Sequence, residues 1–280
     1  MEQNNPVIGK EDYMEPRCLL CDEPYGKQVE VRPVPQQRIV EKVDAYMSRR
    51  DYDGVERHLL YWLEEARLGH DRKGELMIRN ELAGHYRKVQ NKEKAFESAA
   101  EALRLLDAIG FSGSISEGTA YTNIATVYNA FGENERSLRL FEKARAVYEA
   151  IPTLNPALLG GLYNNMALTH VALGHYADAY ALYERALETM GKVENGVLEQ
   201  AITYLNMANA AELELGLEAA EPKIAQYIDT AYALLDTPSV PRDGYYAFVC
   251  EKCAPTFGYY GYFLMANELS ERAKGIYERT

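Results

Sequence analysis

A chain of 280 residues, 47% of them hydrophobic and 26% charged, holds enough apolar material for a folded body and is too balanced for disorder throughout. Thirty Lys plus Arg against 42 Asp plus Glu leave a net charge of −12, the wrong sign for tracking phosphates, which argues against a nucleic-acid partner. No stretch reaches the roughly 18 to 20 uncharged apolar residues of a membrane helix, and the opening MEQNNPVIGKEDY lacks a signal-type apolar run; a soluble, cytoplasmic protein with reduced cysteines is expected.

In chain order, residues 1–36 come first, with five of the eleven prolines (Pro6, Pro16, Pro24, Pro33 and Pro35). RPVP predicts an extended conformation, so this segment is read as a tail. From Gln37 a helix pair is expected, with Val43 and Tyr46 on its first member, the turn Asp51-Tyr52-Asp53-Gly54, and Val55, Leu59 and Trp62 on its second. Three segments then align without gaps, starting at Asn80, Thr122 and Asn164, so the period is 42 residues. A fourth, from Leu205, aligns if its turn takes a four-residue insertion ending at Pro222, a residue suited to the first position of a helix. A last, weaker copy from about Asp243 carries Ala254 and Phe257, then Gly261, then Ala266, Ser270 and Ala273, and Pro255 is expected to kink or shorten its first helix.

Each central copy repeats one arrangement. The first helices carry Ala83, Ala125, Ala167 and Ala208, followed three residues later by Tyr86, Tyr128, His170 and Ala211. The second helices carry Ala95, Ala99 and Ala102; Ser137, Phe141 and Ala144; Ala179, Tyr183 and Ala186; and Ile224, Ile228 and Ala231. Spacings of four and three place each triplet on one helical face, and alternating small and large residues let paired helices approach to ~8–10 Å. These residues resemble the tetratricopeptide repeat. The resemblance runs from Gln37 to Thr280, strongest in the middle, and departs from the pattern at His170 and Ala211. It implies an all-α, right-handed superhelical solenoid of about six helix-turn-helix repeats. The long period is similar to that of kinesin light chains and bacterial peptide-sensing arrays, which implies a scaffold or adaptor that binds protein or peptide along the face lined by first helices. The tail is too short for a DNA-binding or helical-bundle output module, and the Lys-Asn-Asn-Lys-Arg clamp of chaperone-binding members is absent as a set.

Two residues before each first-helix alanine stand Asn123, Asn165 and Asn206, with Glu81 in the slot of repeat two. Recurrence at one helical phase predicts a row of carboxamides along one wall. A carboxamide both donates and accepts, so each can pair with the N–H and C=O of an extended chain. Repeats offset by ~10 Å would meet every third residue of a strand rising ~3.3 Å per residue. The resemblance implies a peptide-holding role for this asparagine. The same amides could instead bridge neighbouring repeats or cap backbone groups. Further groove candidates are Asn80, Arg87, Lys88, Thr126, Asn129, Asn164, Leu168, Asn209 and Glu212, among which Arg87 and Lys88 could take a peptide carboxylate.

The four cysteines form two C-x-x-C pairs, Cys18/Cys21 and Cys250/Cys253. Four thiolates would suit a tetrahedral structural zinc. Sixteen steps from Cys21 to Gln37 span at most ~55 Å, against ~50 Å for five repeat offsets, so closure within one chain is marginal. Separate redox or weak metal behaviour of each pair, free thiols, or simply two buried small residues are the alternatives. If the tail reached that far it would lie in the groove, and partner binding or dimerisation would then fall elsewhere. The stretch from Tyr245 to Phe263 holds eight of the thirty aromatics, either a contact surface for a homodimer or a seal on the end of the array. No nucleotide, hydrolase or metalloprotease motif occurs, and His58, His70, His85, His170 and His175 show no metal-ligand spacing, so neither catalysis nor a required cofactor is expected.

Overall fold

The computed structural model describes residues 30–110 and 113–279. These residues form twelve α-helices and no strand, paired as six consecutive hairpins. Repeat one is α1 (Gln36–Met47) with α2 (Tyr52–Leu68), and repeat two α3 (Arg72–Lys88) with α4 (Lys92–Ile109). Repeats three and four are α5 (Ile115–Ala130) with α6 (Asn134–Glu149) and α7 (Pro156–Ala172) with α8 (Tyr176–Met190). Repeats five and six are α9 (Val197–Leu215) with α10 (Leu217–Leu235) and α11 (Gly244–Tyr259) with α12 (Phe263–Tyr277). No described helix is long and apolar enough to cross a membrane.

Local chemistry sets the boundaries. Asp51, Asp71, Asn91, Ser114, Asn155 and Asp243 each cap a helix by accepting from a backbone N–H of its first turn. Asp71 does more than cap: its Oδ1 accepts from Gly74 N at 2.9 Å while its Oδ2 accepts from Val34 N at 2.9 Å. Arg32 N donates to Gly69 O at 2.8 Å, so the extended RPVP stretch docks on the α2–α3 turn and buries Val34.

The repeat-defining residues are buried. Ala83, Ala125, Ala167 and Ala208 are at most 1% exposed, and Phe141, Tyr183 and Ile228 on the second helices are buried to the same degree. In α5 and α7 buried positions run around most of the helix, because a central first helix packs against its own partner and both neighbouring repeats. First helices touch in succession, α3 with α5, α5 with α7, α7 with α9 and α9 with α11, whereas no pair of second helices makes comparable contact. The array therefore curves with the first helices inside. Curvature carries the last repeat round toward the first: Arg50, in the α1–α2 turn, lies 3.3 Å from Glu251 on α11.

Three expectations need correction. Pro222 does not open a helix; it lies inside α10, and the extra residues lengthen α9 and α10 to 19 residues each. The turn between them is Gly216 alone, at φ 80° and ψ 155°, a conformation open essentially to glycine. Helix α11 runs through Pro255 over 16 residues, so the shortening half of that expectation does not hold. In α12, which packs on α11, the buried face falls on Leu269 and Ala273 while Ser270 is exposed.

Candidate peptide-binding face

The inner wall is lined by α3, α5, α7 and α9, and the asparagine slot occurs once on each of the last three. The three amides differ in state. Asn123 is exposed and Asn165 half-buried, and neither side chain has a hydrogen-bond partner among the described residues. Asn206 donates to Asn164 Oδ1 at 3.1 Å, across the seam between repeats five and four. Glu81, in the same slot of α3, is half-buried, and burial together with the nearby Asp44 carboxylate raises its pKa.

The flanking candidates divide in the same way. Asn129 bridges repeats three and four by donating to Thr169 Oγ1 at 3.0 Å, and Asn209 accepts from Tyr260 OH at 2.8 Å across the seam to repeat six. Thr126 donates back to Thr122 O at 2.9 Å and Asn80 to Leu76 O at 3.2 Å, so both are turned onto their own helices. Arg87 is half-buried, its pKa lowered by burial, while Lys88 stands exposed at the end of α3. Seam contacts not anticipated from sequence include Tyr176 OH donating to Leu213 O at 3.1 Å, and Tyr260 OH reaching Glu212 at 2.8 Å. Their only sequence signal is the abundance of tyrosine.

Residues 68–150 match a tetratricopeptide-repeat family model, and residues 160–195 match a second model of the same description. Both stretches are tetratricopeptide repeats. No curated protein matches it. Among solved structures, the array is similar to a Podosopora anserina putative kinesin light chain with nearly identical TPR-like repeats, at 17% identity over 71% of this chain and 92% of that one, TM-score 0.48. It is also similar to BtubC (BKLC) from P. vanneervenii, at 17% identity over 87% of this chain and 91% of that one, TM-score 0.49.

Of the four cysteines, Cys18 and Cys21 lie outside the described residues. Cys250 and Cys253 are buried in the hydrophobic cluster shared by repeats five and six. Burial pushes both thiols up, Cys253 to about 12, which opposes the thiolate form that a metal requires. The aromatic stretch is split between two environments. Tyr246 and Phe257 are fully buried and seal the terminal core, whereas Tyr245, Phe248, Tyr259 and Phe263 remain exposed. The histidines also correct the sequence reading, because His170 and His175 converge with Asp178 at the turn of repeat four.

Proposed function

We propose that this scaffold holds an extended polypeptide segment along its inner face, with Asn123 and Asn165 reading the main chain. Tetratricopeptide arrays serve as protein-interaction scaffolds; the finer reading rests on one observation. Two carboxamides occupy the same slot of adjacent first helices, accessible and without a hydrogen-bond partner among the described residues, on the inside of the curve. An Asn in a helix interior costs up to ~0.7 kcal/mol relative to Ala, and no side-chain bond among the described residues offsets that cost here. Arg87 at one end of the wall suits an acidic group of the ligand, and Glu212 toward the other a basic one.

The test is to pan a displayed peptide library with the full chain and measure the selected peptides on wild type and on Asn123→Ala/Asn165→Ala. Loss of about one to three hydrogen bonds at ~1 kcal/mol each corresponds to roughly a five- to hundredfold weaker Kd. Unchanged affinity with unchanged helical content refutes the reading.

A second reading concerns self-association. Leu213, Leu215, Leu217, Tyr259, Phe263 and Leu264 are all exposed on the last two repeats, which supports pairing with a second copy at that end. Sedimentation of Leu264→Asp against wild type tests it, and two identical monomers would dismiss it.

A further inference from the structure

In repeats two and three the first-helix tyrosine and the residue eight positions later form a cation–ring pair. Lys94 Nζ lies 5.2 Å from the Tyr86 centroid, and the Arg136 guanidinium carbon 4.1 Å from that of Tyr128. Repeat four keeps the geometry and exchanges the chemistry: the same two slots hold His170 and Asp178, and His175 occupies the residue preceding α8. The ligating atoms of all three lie within 4.8 Å of one another. His170 Nδ1 is 3.9 Å from Asp178 Oδ2, and the two imidazole rings are 5.7 Å apart at 50°. His170 Nδ1 is also buried with no hydrogen-bond partner among the described residues. A buried polar atom left in that state costs on the order of 1–3 kcal/mol.

We propose that repeat four binds one divalent transition-metal ion of the zinc class through His170, His175 and Asp178, with water or a partner's side chain completing the tetrahedron. Two imidazoles and one carboxylate form the ligand set of an open zinc site. Bonds of ~2.0–2.2 Å would bring the three ligating atoms to about 3.4 Å from one another. His175 is exposed and the Asp178 side chain is 71% exposed, so rotation of these two closes the remaining distance onto the fixed His170. The positive end of the α8 dipole disfavours a cation there, and the Asp178 carboxylate in its first turn supplies the compensating charge. Bound metal would tie the end of α7 to the start of α8, beside a groove lined by Glu135, Arg139, Glu142 and His175.

The full chain, stripped by chelation, is titrated with zinc chloride by calorimetry and with cobalt(II) by absorption. One equivalent is expected, weakened at least about tenfold in His175→Ala, in Asp178→Asn, and in His170→Tyr, which installs the residue used by repeats two and three. The cobalt spectrum of that equivalent should lack a thiolate charge-transfer band, which separates it from binding at the cysteines. Thermal unfolding of the metal-free variants, with the two exposed substitutions unchanged from wild type, keeps loss of binding distinct from loss of fold. Affinity unchanged in His175→Ala and Asp178→Asn, binding only with the thiolate band, or no binding up to about 1 mM would overturn the proposal.

Discussion

Asn123 and Asn206 share one slot of the repeat but not one state, and replacing each by alanine separates a groove amide from a seam amide. Alanine recovers up to ~0.7 kcal/mol of helix propensity at either position. At Asn123 no described residue opposes the gain, because the exposed amide has no hydrogen-bond partner among the described residues, so Asn123→Ala should stabilise by up to ~0.7 kcal/mol. At Asn206 the same gain is set against a half-buried bond of 3.1 Å to Asn164, worth ~0.5–1.5 kcal/mol net. Asn206→Ala should therefore fall between neutral and ~1 kcal/mol destabilising, leaving the two variants about 1 kcal/mol apart. With a urea m-value near ~3 kcal/mol/M, that gap is a midpoint separation of roughly 0.3 M. Repeat arrays need not unfold in one step, so midpoints are compared with the same probe, far-UV circular dichroism. Adding Asn164→Ala to Asn206→Ala should cost less than the sum of the single changes, since the bond is already gone. Equal shifts of the same sign at Asn123 and Asn206 would refute the division of the ladder.

Gly118 on α5 tests the packing of a helix pair: an added Cβ would stand 2.3 Å from Tyr148 Cε1, on a ring that is almost fully buried. Gly118→Ala gains ~1 kcal/mol of propensity but overpacks by ~1–3 kcal/mol, so a net loss and a lower Tm are expected; a higher Tm would show that the pair is looser than described. Burial first, and then the Glu149 hydrogen bond, push Tyr163 up to about 12 from an ordinary ~10. A raised folded pKa means that the neutral form is favoured in the native state, so this stability is complete below about pH 10 and lost as pH rises through 12. Tyr86, Tyr180 and Tyr183 shift in the same direction. Tyrosinate absorbance should thus rise together with loss of helical signal, and full titration near pH 10 with helices intact would contradict it. Cys250 and Cys253, buried with raised pKa values, should resist iodoacetamide in the native chain at pH 8 and react in urea, as read by peptide mapping. Equal labelling in both conditions would place the thiols outside the core.

What the sequence by itself determined is what one helix or one hairpin decides. The spacing of Ala125 and Tyr128, or of Ala179, Tyr183 and Ala186, depends only on 3.6 residues per turn, and these residues are buried as that spacing requires. Tertiary structure decided everything that depends on how one hairpin sits on the next. Asn123, Asn165 and Asn206 look alike in sequence, yet Asn206 faces a carboxamide on α7 at bonding distance while the other two have no such neighbour. A periodic pattern carries the phase of a side chain around its own helix but not the curvature that brings first helices together. That curvature also places Arg50 beside Glu251, where adding repeat offsets end to end would put ~50 Å between the ends. His170, His175 and Asp178 show no ligand spacing in the sequence for a related reason: the turn after α7 folds the start of α8 back alongside its end, and only that reversal converts separations of five and three residues into one cluster.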